Sequence, residues 1–314
     1  MSTIFLQEKN TLLLEPDLQA FIQQVDAHYP VGAETQAIEA QRALYNQILA
    51  SFAVPISQDI SVKDGQFISK QHTINTRIYQ HQKVSARAQI IYFHGGGFVL
   101  GGLDSHHGIC ADLCAGTGLK ISSIDYRLAP EYLYPAALED AVFAYTQLAT
   151  QSDLPLIVMG DSAGACLAAH VAQATKQSPK PPLAQVLIYP VLGSDLSLDS
   201  YQRYAEAPLL TTTSMLTYWQ LWLGQTELPQ ALAGIPLAEQ DFTGLAPALV
   251  FSAEYDPLVD EAQLYCEKIQ EVGGQATWVL EAGLVHGYLH ARHQVKAAQA
   301  SFARIQQALS DLVA

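Results

Sequence analysis

From about residue 56 onward, short apolar runs alternate with longer amphipathic segments, and this alternation limits the folds open to the chain more than any other feature. Ile56–Val62 and Thr73–Tyr79 read as strands. Ala88–Phe93, with the sequence AQIIYF, is a continuous apolar run of the kind buried on both faces of a sheet. Strand-like and helix-like segments then take turns. Leu119–Ile124, Leu156–Met159, Leu183–Tyr189, Pro247–Ser252 and Ala276–Leu280 read as strands. Pro135–Ala149, Ser162–Thr175, 258–272 and 293–313 read as helices. Such repetition implies an α/β fold: a mostly parallel central sheet flanked by helices.

Two regions fall outside the pattern. Residues 16–29 and 34–52 read as amphipathic helices, with Leu18, Phe21, Ile22 and Val25 on one face of the first and Leu44, Ile48 and Leu49 on one face of the second. Pro30-Val31-Gly32 breaks the chain between them. From Tyr189 to Pro247 there is no convincing strand, only a helix at Ser214–Leu223 carrying Trp219 and Trp222, and loops. An insertion that interrupts a regular α/β alternation suggests a binding element. The expected organisation is N-terminal cap helices over 1–55 and a catalytic domain over 56–314. A cap insertion at about 190–245 covers the C-terminal edge of the sheet.

Composition narrows the partners. The 314 residues are 49% hydrophobic, enough for a full core. With 30 acidic against 16 basic residues and no basic cluster, nucleic acid is not an expected partner. Cys110, Cys114, Cys166 and Cys266 are too few and scattered for a disulfide framework. Met1–Asn10 lacks the basic-then-apolar pattern of a signal peptide, and no run approaches the ~20 apolar residues of a membrane span. A cytoplasmic monomer or homodimer is the expectation.

The chemistry is carried by three segments. Gly160-Asp161-Ser162-Ala163-Gly164 follows the apolar strand and opens the Ala-rich helix, the setting of a nucleophile elbow. The turn holds the serine in a strained conformation, so its neighbours two residues away must be small. The helix aims its N-terminal amides at the same point. His94-Gly95-Gly96-Gly97-Phe98 follows AQIIYF directly. Three glycines in a row cost entropy on ordering and are tolerated where backbone must approach a ligand. The amides of Gly96 and Gly97, with that of Ala163, can form an oxyanion hole, each donor being worth ~3 kcal/mol. A phosphate loop would instead end in Lys and Ser or Thr. His94, ahead of the glycines, reads as a residue that fixes the loop rather than as a base.

On such a sheet the triad order is serine, acid, histidine. Asp256 follows the strand Pro247–Ser252, with Glu254 as its local competitor. His286 lies in the loop after the last strand; His290 and His293 are placed on the next helix, facing elsewhere. His286 would take the proton of Ser162, and Asp256 would orient the imidazole. His106, Cys110 and Cys114, with His107 adjacent, repeat every four residues on a helix. That spacing does not close a metal tetrahedron, and no metal is expected. Arg127 and Glu131 read as a structural ion-pair network. Trp219 and Trp222 could serve the cap or the core equally.

The segments HGGGF at 94–98, DYRLAPE at 125–131, GDSAGA at 160–165, DPL at 256–258 and HGY at 286–288 together resemble the hormone-sensitive-lipase family of bacterial esterases. HGGGFVLGGLDSH, AEYDPLVDEAQLY and HGYLH resemble its acetyl esterases. The likeness runs from about residue 40 to the end. It implies an α/β-hydrolase fold with a helical cap, hydrolysis of short-chain carboxylic esters and no cofactor. It also implies Ser162, Asp256 and His286 as nucleophile, acid and base, and Gly96, Gly97 and Ala163 as oxyanion donors. An amidase or formamidase on the same machinery, and a non-catalytic small-molecule receptor on this fold, are the alternatives.

Overall fold

The computed structural model describes residues 12–30, 32–69, 73–228 and 233–314, so the reading of Met1–Asn10 lies outside the described residues. Eight strands form one sheet: β1 (Ile60–Ile68), β2 (Thr73–His81), β3 (Gln89–Phe93), β4 (Lys120–Asp125), β5 (Leu156–Asp161), β6 (Ala184–Ile188), β7 (Ala248–Tyr255) and β8 (Ala276–Val285). Their spatial order is β1-β2-β4-β3-β5-β6-β7-β8. β2 pairs antiparallel with both β1 and β4, and every other pairing is parallel. The fully buried strand β3, all of whose residues are enclosed, is the centre that the AQIIYF run foretold.

The helices are α1 (Pro16–His28), α2 (Ile38–Ser51), α3 (His107–Thr117), α4 (Ala136–Gln151), α5 (Ala163–Thr175), α6 (Asp199–Arg203), α7 (Thr212–Leu223), α8 (Val259–Glu271) and α9 (Lys296–Asp311). They divide the core into two clusters. On one face α4, α5 and α8 pack together with α7, whose Trp219 and Trp222 are both buried. On the other, α3 and α9 pack with Leu18, Phe21, Ile22 and Ile48 from α1 and α2. No strand interrupts the described residues between β6 and β7, and among the described residues no helix is long and apolar enough to cross a membrane.

The topology places the site. From β3 the chain first crosses to β4 on one side, then returns to β5 on the other. Ligands of open α/β sheets bind at such a switch point, outside the carboxyl ends of the strands. The carboxyl ends of β3 and β5 carry the glycine loop and Ser162, so both motifs meet in that crevice.

Several boundaries differ from the sequence reading. β1 begins and ends later than Ile56–Val62, and β8 continues five residues past Leu280 to Val285. His290 lies in a 3-10 turn, Tyr288–Ala291, and α9 starts only at Lys296, so neither His290 nor His293 is on the closing helix. Ser162 is the residue before α5 rather than its first.

Candidate active site

Ser162 stands at the sharp turn from β5 into α5 with φ 53° and ψ −123°, a left-handed conformation costly for a residue with a side chain. Its backbone is held from both sides. Its amide donates to Ile188 O at 2.9 Å, and its carbonyl accepts from Ala165 at 3.0 Å and Val191 at 3.3 Å. The two flanking glycines are required by contact. A Cβ on Gly160 would collide with the backbone of Gly164, and one on Gly164 with the Phe93 carbonyl.

The glycine loop runs beside this turn. The Gly96 carbonyl accepts from Val99 at 3.1 Å and Leu100 at 2.8 Å, closing a tight turn. The amides of Gly96, Gly97 and Ala163 donate to no protein acceptor among the described residues. His94 is buried and stacks on Tyr126 at 4.3 Å, its Nδ1 being 2.8 Å from the Gly95 carbonyl. Burial, aided by neighbouring His106, pushes its imidazole down to about 3, which keeps it neutral. It therefore occupies a loop-fixing position.

Asp256 and His286 follow the carboxyl ends of β7 and β8. Asp256 is almost fully buried. Its Oδ1 accepts from the Leu258 amide at 3.0 Å, and its Oδ2 lies 2.7 Å from His286 Nδ1. His286 Nε2 lies 2.9 Å from Ser162 Oγ, and the ring packs against Tyr189 at 4.7 Å between centroids. Three side chains, the outer two 94 positions apart in the chain, thus form one unbroken run of hydrogen-bonding contacts. Glu254 is engaged elsewhere, accepting from the Gly283 amide at 2.6 Å.

A cavity of about 380 Å³ opens onto Ser162 and His286. Its floor is Gly96, Gly97 and Leu100. Its walls include Phe21, Tyr29, Leu44 and Tyr45 from the α1–α2 segment, and Met215, Tyr218 and Trp219 from α7. Trp219 borders this cavity, whereas Trp222 stacks flat on Phe98 at 3.8 Å beneath the glycine loop.

The remaining candidates separate. Arg127 pairs with Asp140 at 2.8 Å and Glu139 at 3.2 Å, not with Glu131; Glu131 pairs with Arg42 of α2 at 2.7 Å. The network expected around DYRLAPE is therefore two networks. Cys110 and Cys114 are buried in the core beside α9, and His106 faces Ser105 and Asp161.

A sequence profile described as alpha/beta hydrolase fold matches residues 90–290. An ethyl acetate hydrolase of Pseudomonas putida is 30% identical over 312 residues, spanning 94% of this chain and 98% of its own length. Esterase LipI of Mycobacterium tuberculosis is 36% identical over 246 residues, 75% of this chain and 77% of its own. The chain belongs to the hormone-sensitive-lipase family of carboxylesterases.

Among solved structures, a hyperthermophilic esterase from the archaeon Pyrobaculum calidifontis superposes with a TM-score of 0.87 at 29% identity. That match covers 96% of this carboxylesterase and 99% of the archaeal chain. The protein is accordingly a carboxylic ester hydrolase on an α/β-hydrolase fold.

The sequence reading passed over one residue of this carboxylesterase's site. Asp161, directly before Ser162, is buried and fully engaged. Its Oδ1 accepts from Tyr92 Oη at 2.7 Å and from the Gly95 amide at 3.1 Å; its Oδ2 lies 3.3 Å from His106 Nε2 and accepts from Tyr189 Oη at 3.4 Å. Burial alone would raise its pKa. The charge and hydrogen bond of His106, with the Tyr92 hydroxyl, outweigh that and hold the carboxyl below the usual range. The only available signal was an ionisable residue at the carboxyl end of an otherwise apolar strand.

Proposed function

We propose that this carboxylesterase hydrolyses esters of short acyl chains through a Ser162–His286–Asp256 triad and a covalent acyl-enzyme. The observation that carries the reading is the continuous contact run of 2.7 and 2.9 Å from Asp256 through His286 to Ser162 Oγ. It ends beside the unpaired amides of Gly96, Gly97 and Ala163.

His286 Nε2 takes the Ser162 proton as Oγ attacks the ester carbonyl, and Asp256 holds the imidazole in the tautomer that leaves Nε2 free to accept it. The carbonyl oxygen becomes the oxyanion and rests on the three amides, where preorganised donors stabilise charge without reorganisation. His286 then gives its proton to the departing alcohol oxygen as the C–O bond breaks. Water repeats the sequence on the acyl-enzyme, releasing the acid and restoring Ser162. The helices before β1 and the segment from residue 190 to 245 act as a cap that supplies the cavity walls.

A fluorophosphonate should label Ser162 alone, and Ser162→Ala should abolish labelling and turnover together. Across aryl esters of two to twelve acyl carbons, kcat/KM should peak at two to four. A maximum at ten or beyond would overturn the short-chain reading, and labelling that persists in the Ala variant would overturn the assignment of the nucleophile.

A further inference from the structure

Among the described residues, four tyrosines line the cavity over Ser162, and one of them, Tyr189, donates to Asp161 Oδ2 at 3.4 Å. Tyr92, Tyr126, Tyr145, Tyr201 and Tyr265 each donate to a protein acceptor at 2.7–2.9 Å. Tyr29, Tyr45 and Tyr218 have no hydrogen-bond partner among the described residues, and all three line the cavity over Ser162. They arrive there from three different places: the C-cap of α1, the middle of α2 and the middle of α7. The Tyr218 ring lies against Gly97, where a Cβ would meet it at 2.5 Å, so this phenol adjoins the glycine loop itself.

The three phenols are donors under all ordinary conditions. Burial pushes the Tyr45 hydroxyl well above its usual value, with the charges of Asp161, Tyr218 and Tyr29 adding to it. Burial likewise raises Tyr218, with a contribution from Tyr29, and raises Tyr29 itself. All three residues border the one cavity. No Lys or Arg is among the lining residues, so an anionic group entering the cavity would find no cationic partner.

A purely alkyl substituent would cover the apolar walls but take these hydroxyls out of water without giving them acceptors, which costs free energy for each. A substituent bearing ether or hydroxyl oxygens would satisfy them. A short acyl group occupies only a small part of a cavity of about 380 Å³, leaving most of it for the alcohol half of the ester. We infer that the alcohol half of the substrate is a non-anionic, oxygen-rich group, a polyol or sugar, recognised by Tyr29, Tyr45 and Tyr218. This rests on the triad and short-acyl reading above.

The test compares two acetates of one shape, a mono-acetylated methyl glucopyranoside and cyclohexylmethyl acetate, with phenyl acetate as reference. The wild-type ratio of kcat/KM, sugar ester over cyclohexyl ester, should exceed one. Tyr45→Phe and Tyr218→Phe should each lower that ratio about fivefold, as expected for one neutral hydrogen bond, and the double variant should lower it further. Tyr29→Phe, at the half-exposed rim, should lower it less. Independently of any variant, methyl glucopyranoside should inhibit wild-type phenyl acetate turnover more strongly than cyclohexylmethanol. A wild-type ratio at or below one, an unchanged ratio in the double variant, or stronger inhibition by cyclohexylmethanol would each overturn the inference while leaving the triad standing. Failure of the wild type to turn over phenyl acetate would remove the esterase reading, and this inference with it.

Discussion

Asp161 Oδ1 accepts the amide of Gly95 at 3.1 Å, so the strand that presents Ser162 and the loop that presents Gly96 and Gly97 are joined through one buried carboxylate. The same carboxylate holds Tyr92 and faces His106, and thereby fixes the spacing between the elbow and the glycine loop. Asp161→Asn keeps the shape and one acceptor but turns an amide group toward His106 and Tyr189. The expected result is a fall in kcat of about tenfold with KM little changed, since a shifted loop weakens oxyanion contacts made mainly in the transition state. Asp161→Ala leaves the Tyr92 hydroxyl buried without an acceptor and the Gly95 amide with only His106 Nε2, 3.4 Å away, and should cost about 3 kcal/mol or more in urea unfolding. Equal losses of activity in the two variants, or a change confined to KM, would contradict this role.

The α2 helix is tied to the same loop by Arg42. Its Nε donates to Val99 O at 2.8 Å and an NH2 proton to Ala129 O at 2.8 Å, while its fork pairs with Glu131 at 2.7 Å. Ala129 in turn donates to Phe98 O at 2.9 Å, so α2, the DYRLAPE segment and the glycine loop form one brace. Val99 and Ala129 are fully buried, and Arg42→Met strips both carbonyls of this donor. The variant should lose about 2–4 kcal/mol of stability and tens-fold in kcat/KM. Arg42→Lys should fall between, because a point charge cannot span three acceptors. Glu131→Gln touches only the exposed side of the network and should cost under about 1 kcal/mol. A larger loss in Glu131→Gln than in Arg42→Met would reverse the assignment.

How much of this was legible beforehand follows from the physics of each element. The parallel strands were readable because burial on both faces leaves a continuous apolar run, as in β3 and β5. β1 lies further along the chain than the apolar pattern suggests because it is an edge strand, paired antiparallel only with β2. Its central Lys63, Asp64, Gly65 and Gln66 are at most half-buried and carry no apolar signature. β8 has no readable end in the sequence past Leu280, because Glu281-Ala282-Gly283 is a poor strand sequence. It continues because Glu281, buried, is paired with Arg304 of α9, a partner distant in the chain. Ser162, Asp256 and His286 could be singled out because each falls just after a strand, where the mechanism restricts the choice. Asp161 could not, since the elbow pattern leaves that position open and its bonding partners Tyr92, Gly95, His106 and Tyr189 lie 28 to 69 positions away.

The Ser162 turn and the His286 loop should respond very differently to the addition of one methyl group. A Cβ at Gly164 runs into the Phe93 carbonyl, part of the central strand, and neither backbone has room to move. Gly164→Ala should therefore leave little folded protein and at least about a thousandfold loss of activity. Gly287, next to His286, has φ +75° but open space around its Cβ position. There only the left-handed conformation is penalised, by about 1–2 kcal/mol. Gly287→Ala should lower Tm by a few degrees and keep activity within about tenfold. Thermal melts and aryl acetate turnover on both variants check the contrast, which fails if Gly164→Ala melts normally.

Glu261 offers a prediction in pH. It is buried on α8, five positions past Asp256, and accepts from the Leu192 amide at 2.7 Å, the Gly193 amide at 2.9 Å and Tyr201 Oη at 2.7 Å. Burial, helped by the charge of Asp256, pushes its pKa up to about 7 against the pull of these three donors. Because the folded value stands above the ordinary 4.5, folding favours the protonated acid. Its contribution to stability is complete below about pH 4.5 and is lost as the pH rises through about 7. In Glu261→Gln, the side-chain oxygen can keep both amides while the NH2 group donates to Tyr201, whose hydroxyl can turn to accept. The variant has no ionisation step, so its stability relative to wild type should improve between pH 5 and pH 8, by about 3 kcal/mol at most. Urea unfolding of both proteins across that range measures the difference directly. A difference that is flat with pH, or that favours the wild type increasingly toward pH 8, would mean that Glu261 is already ionised at low pH and that the Leu192–Gly193 turn is held by charge.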